Sequence, residues 1–160
     1  MSKLGSAFGE KYQAKRKDIL TRTFELGGHT FKVRIPLVAE SDAMYKRLEN
    51  ANEDRVNFLY KEMTESLMKF KDSPTEGFEF TEDDILVNGR SMKEAAENKA
   101  MTEARITEFF KLLIPEVADA TLDDLTYEDI ETEFPLSVQL QMIEKIGEAI
   151  SPTYKEARGN

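Results

Sequence analysis

The single histidine of the chain, His29, is the first residue whose type could carry chemistry, because imidazole serves as a base or a metal ligand. It follows Gly27 and Gly28, and no serine lies near it in the sequence. The chain has no cysteine, which excludes thiolate nucleophiles, thiolate metal sites and disulfides. We therefore expect His29 to be an exposed turn residue, and we predict no catalytic residue.

Carboxylates are the second candidates, since clusters of them bind metal ions. Residues 83–89 loosely resemble a calcium loop. Counted from Asp84, however, the third and twelfth positions are Leu86 and Ala95, where oxygen ligands are required. Residues 128–133 contain four acids without a histidine partner, which is more typical of a solvent-exposed face. The sequence thus predicts no metal site, no cofactor and no enzymatic activity.

Basic residues are concentrated at the start of the chain. Residues 1–37 carry eight Lys or Arg against three acids, although the 160 residues together have a net charge of −9. The cluster Lys15-Arg16-Lys17 could contact nucleic acid or an acidic partner. Without aromatic stacking residues, and on an acidic protein, nucleic acid is the less favoured partner. Residues 1–18 show little periodicity, so we predict a flexible basic arm there.

The first regular element should be an antiparallel β-hairpin at about residues 20–35. Apolar and polar residues alternate on both sides of Gly27-Gly28, a pair that suits a tight primed turn. With a two-residue loop, Phe24 lies opposite Phe31, so the apolar faces coincide. Because a two-stranded ribbon is marginal alone, we predict a homo-oligomer that self-associates through Phe24, Phe31 and Val33.

Helical periodicity dominates the rest of the chain. Helices are predicted after Ser41, after Asn52, from Ser91 to about residue 114, around residues 122–125 and 127–133, and after Pro135. The predicted fold class is α+β, mostly α-helical with one N-terminal antiparallel β-hairpin. The predicted organisation is a basic arm over residues 1–18, a single domain over residues 19–151 and a polar tail over residues 152–160.

Methionine and phenylalanine residues lie on the apolar stripes of these helices. Such stripes usually form a core, but unbranched thioethers also suit an adaptable groove for a partner helix. We expect the acidic segments 72–89 and 116–133 to keep a loaded complex soluble and to attract basic parts of a partner. The candidate groove residues are Met63, Leu67, Phe109, Phe110, Leu113 and Ile143.

Residues 23–49 resemble the N-terminal pattern of the tail assembly chaperones of long-tailed bacteriophages. The pattern is a hairpin whose second strand reads Phe-x-Val-Arg-x-Pro, followed by Ala-Glu before the first helix. Residues 134–150 are similar to the closing helix of the same proteins. The matching positions of the first pattern are Phe31, Val33, Arg34, Pro36, Ala39 and Glu40.

This resemblance implies a mostly helical protein that wraps the tape measure protein, keeps it soluble and recruits tail-tube subunits. It would act in the host cytoplasm and leave before the virion is complete, and the family offers no catalytic residues. No window of the sequence resembles a membrane span. One alternative is a virion structural or adaptor protein that contacts neighbouring subunits through its hairpin. A metal-dependent hydrolase that uses the acidic segment is the least favoured class.

Overall fold

The computed structural model describes residues 2–72 and 76–151, which divide into two compact units. The terminal unit contains the described residues up to Asp42 and from Ile106 onward, and the central unit is Ala43–Arg105. The sequence predicted one domain over residues 19–151, whereas the structure has these two units. The polar tail predicted for residues 152–160 lies outside the described residues.

The described residues form an α+β fold of which 59% is helical, as the sequence predicted. The helices of this part of the chain are α1 Lys3–Ile19, α2 Val38–Arg47, α3 Glu53–Thr64, a 3₁₀ helix Glu65–Phe70, α4 Met92–Phe110, α5 Tyr127–Glu133 and α6 Leu136–Ile150. The strands are β1 Thr21–Leu26, β2 His29–Arg34, β3 Phe78–Phe80, β4 Ile85–Val87, β5 Arg90–Ser91 and β6 Leu113–Ile114.

The N-terminal hairpin has the predicted register. Strands β1 and β2 are antiparallel with Phe24 opposite Phe31, and the two rings stack with centroids 5.3 Å apart. Gly27 and Gly28 have φ values of 61° and 81°, the left-handed backbone that a primed two-residue turn requires. The turn therefore fixes the register that brings the two aromatic rings together.

The hairpin is not isolated, and the prediction of a single hairpin was incomplete. Strand β6 adds to β2, pairing Val33 with Leu113, because α4 ends at Phe110 rather than near residue 114. A second sheet in the central unit consists of β3, β4 and β5. A two-residue strand such as β6 is too short to show the alternation by which strands are recognised in a sequence.

The segment predicted as a flexible basic arm has helical backbone. The side chain of Ser2 caps α1 by accepting a hydrogen bond from the backbone N–H of Gly5. The helix is interrupted at Gly9, where φ is 86° and ψ is −179°, and Gln13 Nε2 donates to the Gly5 carbonyl at 2.6 Å. Because the break restarts the helical period, neither half is long enough to show an apolar stripe.

Capping residues were predicted with mixed success. Asn52 caps α3, and Thr126 forms a reciprocal capping box with Asp129 at the start of α5. The Ser41 cap was wrong, since α2 already begins at Val38. Ser91 does cap α4 by accepting from the Glu94 N–H at 3.0 Å. Residues 122–125 form a turn instead of a helix.

Each unit has its own buried core. In the terminal unit, α6 contacts β1 and β2, and Val33, Met142 and Ile146 are at most 1% exposed. In the central unit, Val56 and Leu59 of α3 pack with two alanines of α4. Small alanine side chains let two helices approach closely, which explains the alanine-rich first half of α4. The cores thus come from stripes that the sequence shows clearly.

Candidate binding cleft

A cleft of about 420 Å³ lies in the terminal unit where one end of the sheet meets α1, α2 and the segment that follows β6. This volume is in the range of sites that hold a small molecule or a few peptide side chains. The cleft is lined by Leu20, Ile35, Leu37, Leu113, Ile114, Pro115 and Leu122, by Ala120, Thr21 and Thr121, and by Arg16, Lys17, Arg34, Glu40, Lys111 and Asp123.

Part of the apolar lining is provided by residues at the ends of strands. Leu20 precedes β1, Ile35 follows β2, and Leu113 belongs to β6. All three are half-buried, so each presents part of its side chain to the cleft. We call the half-buried leucine and isoleucine residues of the lining the floor of the cleft: Leu20, Ile35, Leu113, Ile114 and Leu122. This floor can accept apolar side chains from another molecule without a rearrangement of the core.

Positive charges also border the cleft. Within residues 2–72 and 76–151, the side chains of Arg16, Lys17 and Lys111 form no salt bridge. Glu40 is held by a bidentate contact with Arg34, and Asp123 is the second acid of the lining. Four basic residues against two acids make this a positive site on a strongly negative chain.

The contact between Arg34 and Glu40 shapes one wall of the cleft. Arg34 Nη1 and Nη2 donate to the two carboxylate oxygens of Glu40 at 2.8 and 2.5 Å. The hydrogen bond raises the pKa of Arg34 above its ordinary value, while burial acts in the opposite direction. The pair joins the end of β2 to α2 across Pro36, so these residues of the resemblance have a defined structural role here.

Two of the predicted groove residues were wrongly assigned. Phe109 and Phe110 are only 3% and 4% exposed, and the Phe110 ring contacts Phe134 with centroids 6.1 Å apart. Both therefore belong to the core of the terminal unit and cannot line an open groove. An apolar stripe on a helix indicates a buried face, but it does not say whether a core or a partner buries it.

The other four groove candidates are half-buried and divided between the units. Leu113 lines the cleft, and Ile143 lies on α6 in the same unit. Met63 and Leu67 belong to the central unit, where Met63 packs against the core formed by α3 and α4. Of the six candidates, only Leu113 thus lines the cleft of about 420 Å³.

The candidates for self-association also have different environments. Val33 is fully buried, so its assignment to a contact with another copy was wrong. Phe24 and Phe31 are half-buried and cover each other, and Phe31 borders a smaller cavity of about 280 Å³. Self-association through these two rings stays a prediction.

His29 is exposed, as expected from the glycine turn before it. Its Nε2 lies 3.5 Å from a carboxylate oxygen of Glu116, and both side chains are more than half exposed. Among the described residues, no group of three or more His, Cys, Asp and Glu side chains could hold a metal ion. None of the helices in this part of the chain is both long and apolar enough to cross a membrane.

Part of the cleft could be recognised from the sequence. The Lys15-Arg16-Lys17 cluster was identified as a possible contact for an acidic partner, and two of its members border the site. Lys111 and Leu122 were missed, because residues distant in sequence meet here only once β6 has joined the sheet. The one available hint was that Lys111 is the last base before the acidic segment 116–133.

Comparison with known proteins adds no relative to this description. A scan against protein-family models matches no family to this chain, and neither the curated proteins nor the solved structures include a significant match.

Proposed function

We propose that the protein is a tail assembly chaperone of long-tailed bacteriophages. In this role it binds the tape measure protein, keeps it soluble and recruits tail-tube subunits in the host cytoplasm. The observation that carries the proposal is the wall formed by Arg34 and Glu40. These two charged residues of the resemblance border an open cleft with an apolar floor, which is where a client segment would bind.

The cleft suits transient binding of a long helical client. An amphipathic helix offers apolar side chains at i, i+3, i+4 and i+7, and Leu20, Ile35 and Leu113 provide surface on which such side chains can pack. The client would bind through burial of apolar area, without any covalent step. The acidic segment 116–133 would then keep the loaded complex dispersed through its negative charge.

A virion structural or adaptor protein is the second candidate, and one observation favours it. Strand β1 is at the edge of the sheet whose order is β1-β2-β6, so no other strand of the described residues pairs with one side of its backbone. An edge of this kind can accept a strand from an adjacent subunit. Stable presence of the protein in purified particles would support this candidate against the chaperone.

Co-expression tests the chaperone proposal directly. The tape measure protein of the same phage is produced with and without this chain, and its soluble fraction is measured together with capture of the tail-tube protein. We expect solubility to depend on the chain and to fall with Arg34→Ala, which removes the wall contact. Arg90→Ala, at an exposed arginine of β5 outside the cleft, is the matched control. An insoluble tape measure protein in the presence of the folded wild-type chain would overturn the proposal.

A further inference from the structure

We infer that the cleft recognises an acidic amphipathic segment, in which apolar side chains enter the cleft and neighbouring carboxylates contact Arg16, Lys17 and Lys111. The inference rests on the proposed function and deepens it, because it names the chemistry of the client segment. It reverses the expectation from net charge alone, under which an acidic protein would attract basic parts of its client. The relevant charge is that of the cleft rather than that of the chain.

The charges at the cleft support a carboxylate-bearing ligand. Arg16 and Lys17 lie in the last turn of α1 and are exposed, while Lys111 follows α4 and is half-buried. The three side chains line the same cleft and, within the described parts of the chain, form no salt bridge. A ligand carboxylate would find these cations available, whereas a ligand lysine would meet repulsion from all three.

The acids of the lining do not cancel this preference. Glu40 already accepts hydrogen bonds from Nη1 and Nη2 of Arg34, so its charge is largely compensated within the wall. Asp123 is exposed and is the remaining acid among the lining residues. The local excess of positive charge therefore favours an anionic ligand, and screening by salt should weaken its binding.

The apolar floor distinguishes a peptide segment from a nucleic acid. The side chains of Leu20, Leu113 and Leu122 are half-buried and offer no hydrogen bond to a base or a sugar. Among the described residues, no aromatic ring lines the cleft for base stacking. Apolar side chains flanked by carboxylates match both the floor and the border. A glutamate-rich amphipathic helix combines the two features at helical spacing.

Fluorescence anisotropy with designed peptides tests the inference on the full chain alone. The probe is a fluorescein-labelled helical peptide with leucine at i, i+3, i+4 and i+7 and glutamate at the flanking positions. One comparison peptide replaces every glutamate with lysine, and another replaces every leucine with serine. We expect the glutamate peptide to bind about tenfold more tightly than either comparison, and less tightly as salt is raised.

Charge reversal on α1 locates the interaction. The double variant Arg16→Glu, Lys17→Glu should weaken binding of the glutamate peptide about tenfold. Lys11→Glu, Lys15→Glu is the matched control, because it makes the same change of net charge on the same helix outside the cleft. We expect less than a twofold effect from it. Circular dichroism and the single imidazole resonance of His29 verify that both variants are folded.

Several results would overturn the inference. They are equal or tighter binding of the lysine peptide, equal effects of the two double variants, and no binding of the glutamate peptide at millimolar concentration. Displacement of the bound peptide by a single-stranded oligonucleotide or by anionic lipid vesicles would also overturn it, since another class of ligand would then occupy the cleft. The peptide assay contains no tape measure protein, so its failure is distinguishable from failure of the proposed function in the co-expression assay.

Discussion

Replacement of Arg55 by alanine should destabilise the central unit, because the buried carboxylate of Glu103 would lose the hydrogen bonds that Arg55 donates. Glu103 of α4 is only 5% exposed, and Arg55 of α3 donates to both of its oxygens, with Nη2 at 2.6 and 2.9 Å and Nε at 3.1 and 3.3 Å. Removing one partner of a fully buried pair costs about 3–5 kcal/mol, because a charge stays buried without compensation.

The expected cost for Arg55→Ala is lower than for a fully buried pair. The Arg55 side chain is 40% exposed, so water can reach part of the space that alanine opens. We expect a loss of about 2–3 kcal/mol in the free energy of unfolding. About 0.5–1 kcal/mol of this reflects the guanidinium above the Phe58 ring, 5.2 Å from its centroid.

Urea unfolding followed by circular dichroism measures the total loss, and hydrogen exchange in α3 and α4 assigns it to the central unit. Arg55→Ala combined with Glu103→Leu also removes the buried carboxylate and should recover much of the stability. Arg90→Ala, at an exposed arginine of β5, is the matched control and should change stability by less than about 0.5 kcal/mol. A change of that small size for Arg55→Ala would refute the reasoning.

Three further predictions concern the cores, the turn and the dependence on pH. Phe109→Ser should lower stability by about 3–5 kcal/mol, since the ring is buried, and a native-like thermal melt would contradict this. Gly28→Ala should cost about 1–2 kcal/mol in urea unfolding, because φ is +81° there; an unchanged midpoint would show that the turn adapts. Burial acts to raise the pKa of Asp84, but hydrogen bonds from Ser91 and the Lys93 N–H help to lower it overall. Asp84 therefore adds stability above the unfolded value near pH 4, which is lost as the pH falls through the lower folded pKa. Asp84→Asn should remove that part of the pH dependence of the free energy of unfolding. Identical acid-unfolding curves for the wild-type and variant proteins would refute it.

The sequence predicted those elements whose formation depends on residues close together in the chain. The hairpin register follows from strict alternation around Gly27-Gly28, and the start of α3 follows from the capping ability of Asn52. Interaction with distant parts of the chain determines what the sequence did not reveal. Strand β6 forms because β2 is there to pair with it, and Ser91 is oriented by a hydrogen bond to Asp84 as well as by its own helix.

The candidate site was less predictable than the fold for the same reason. Helical stripes identified Phe109 and Leu113 as apolar face residues, yet only the tertiary structure shows that one is in the core and the other in the cleft. The positive cluster around Arg16 was visible in the sequence. Its relation to Lys111 was not, because nothing local links residues that are so far apart.

The terminal unit is discontinuous in sequence, and this has a consequence for biosynthesis. Val33 emerges from the ribosome long before Leu113, its partner on β6, and before α6, which contacts both hairpin strands. The central unit, by contrast, is one uninterrupted stretch, Ala43–Arg105. The central unit can therefore fold during synthesis before the terminal unit does. The face of the hairpin that α6 covers stays exposed until residues 136–150 have been translated.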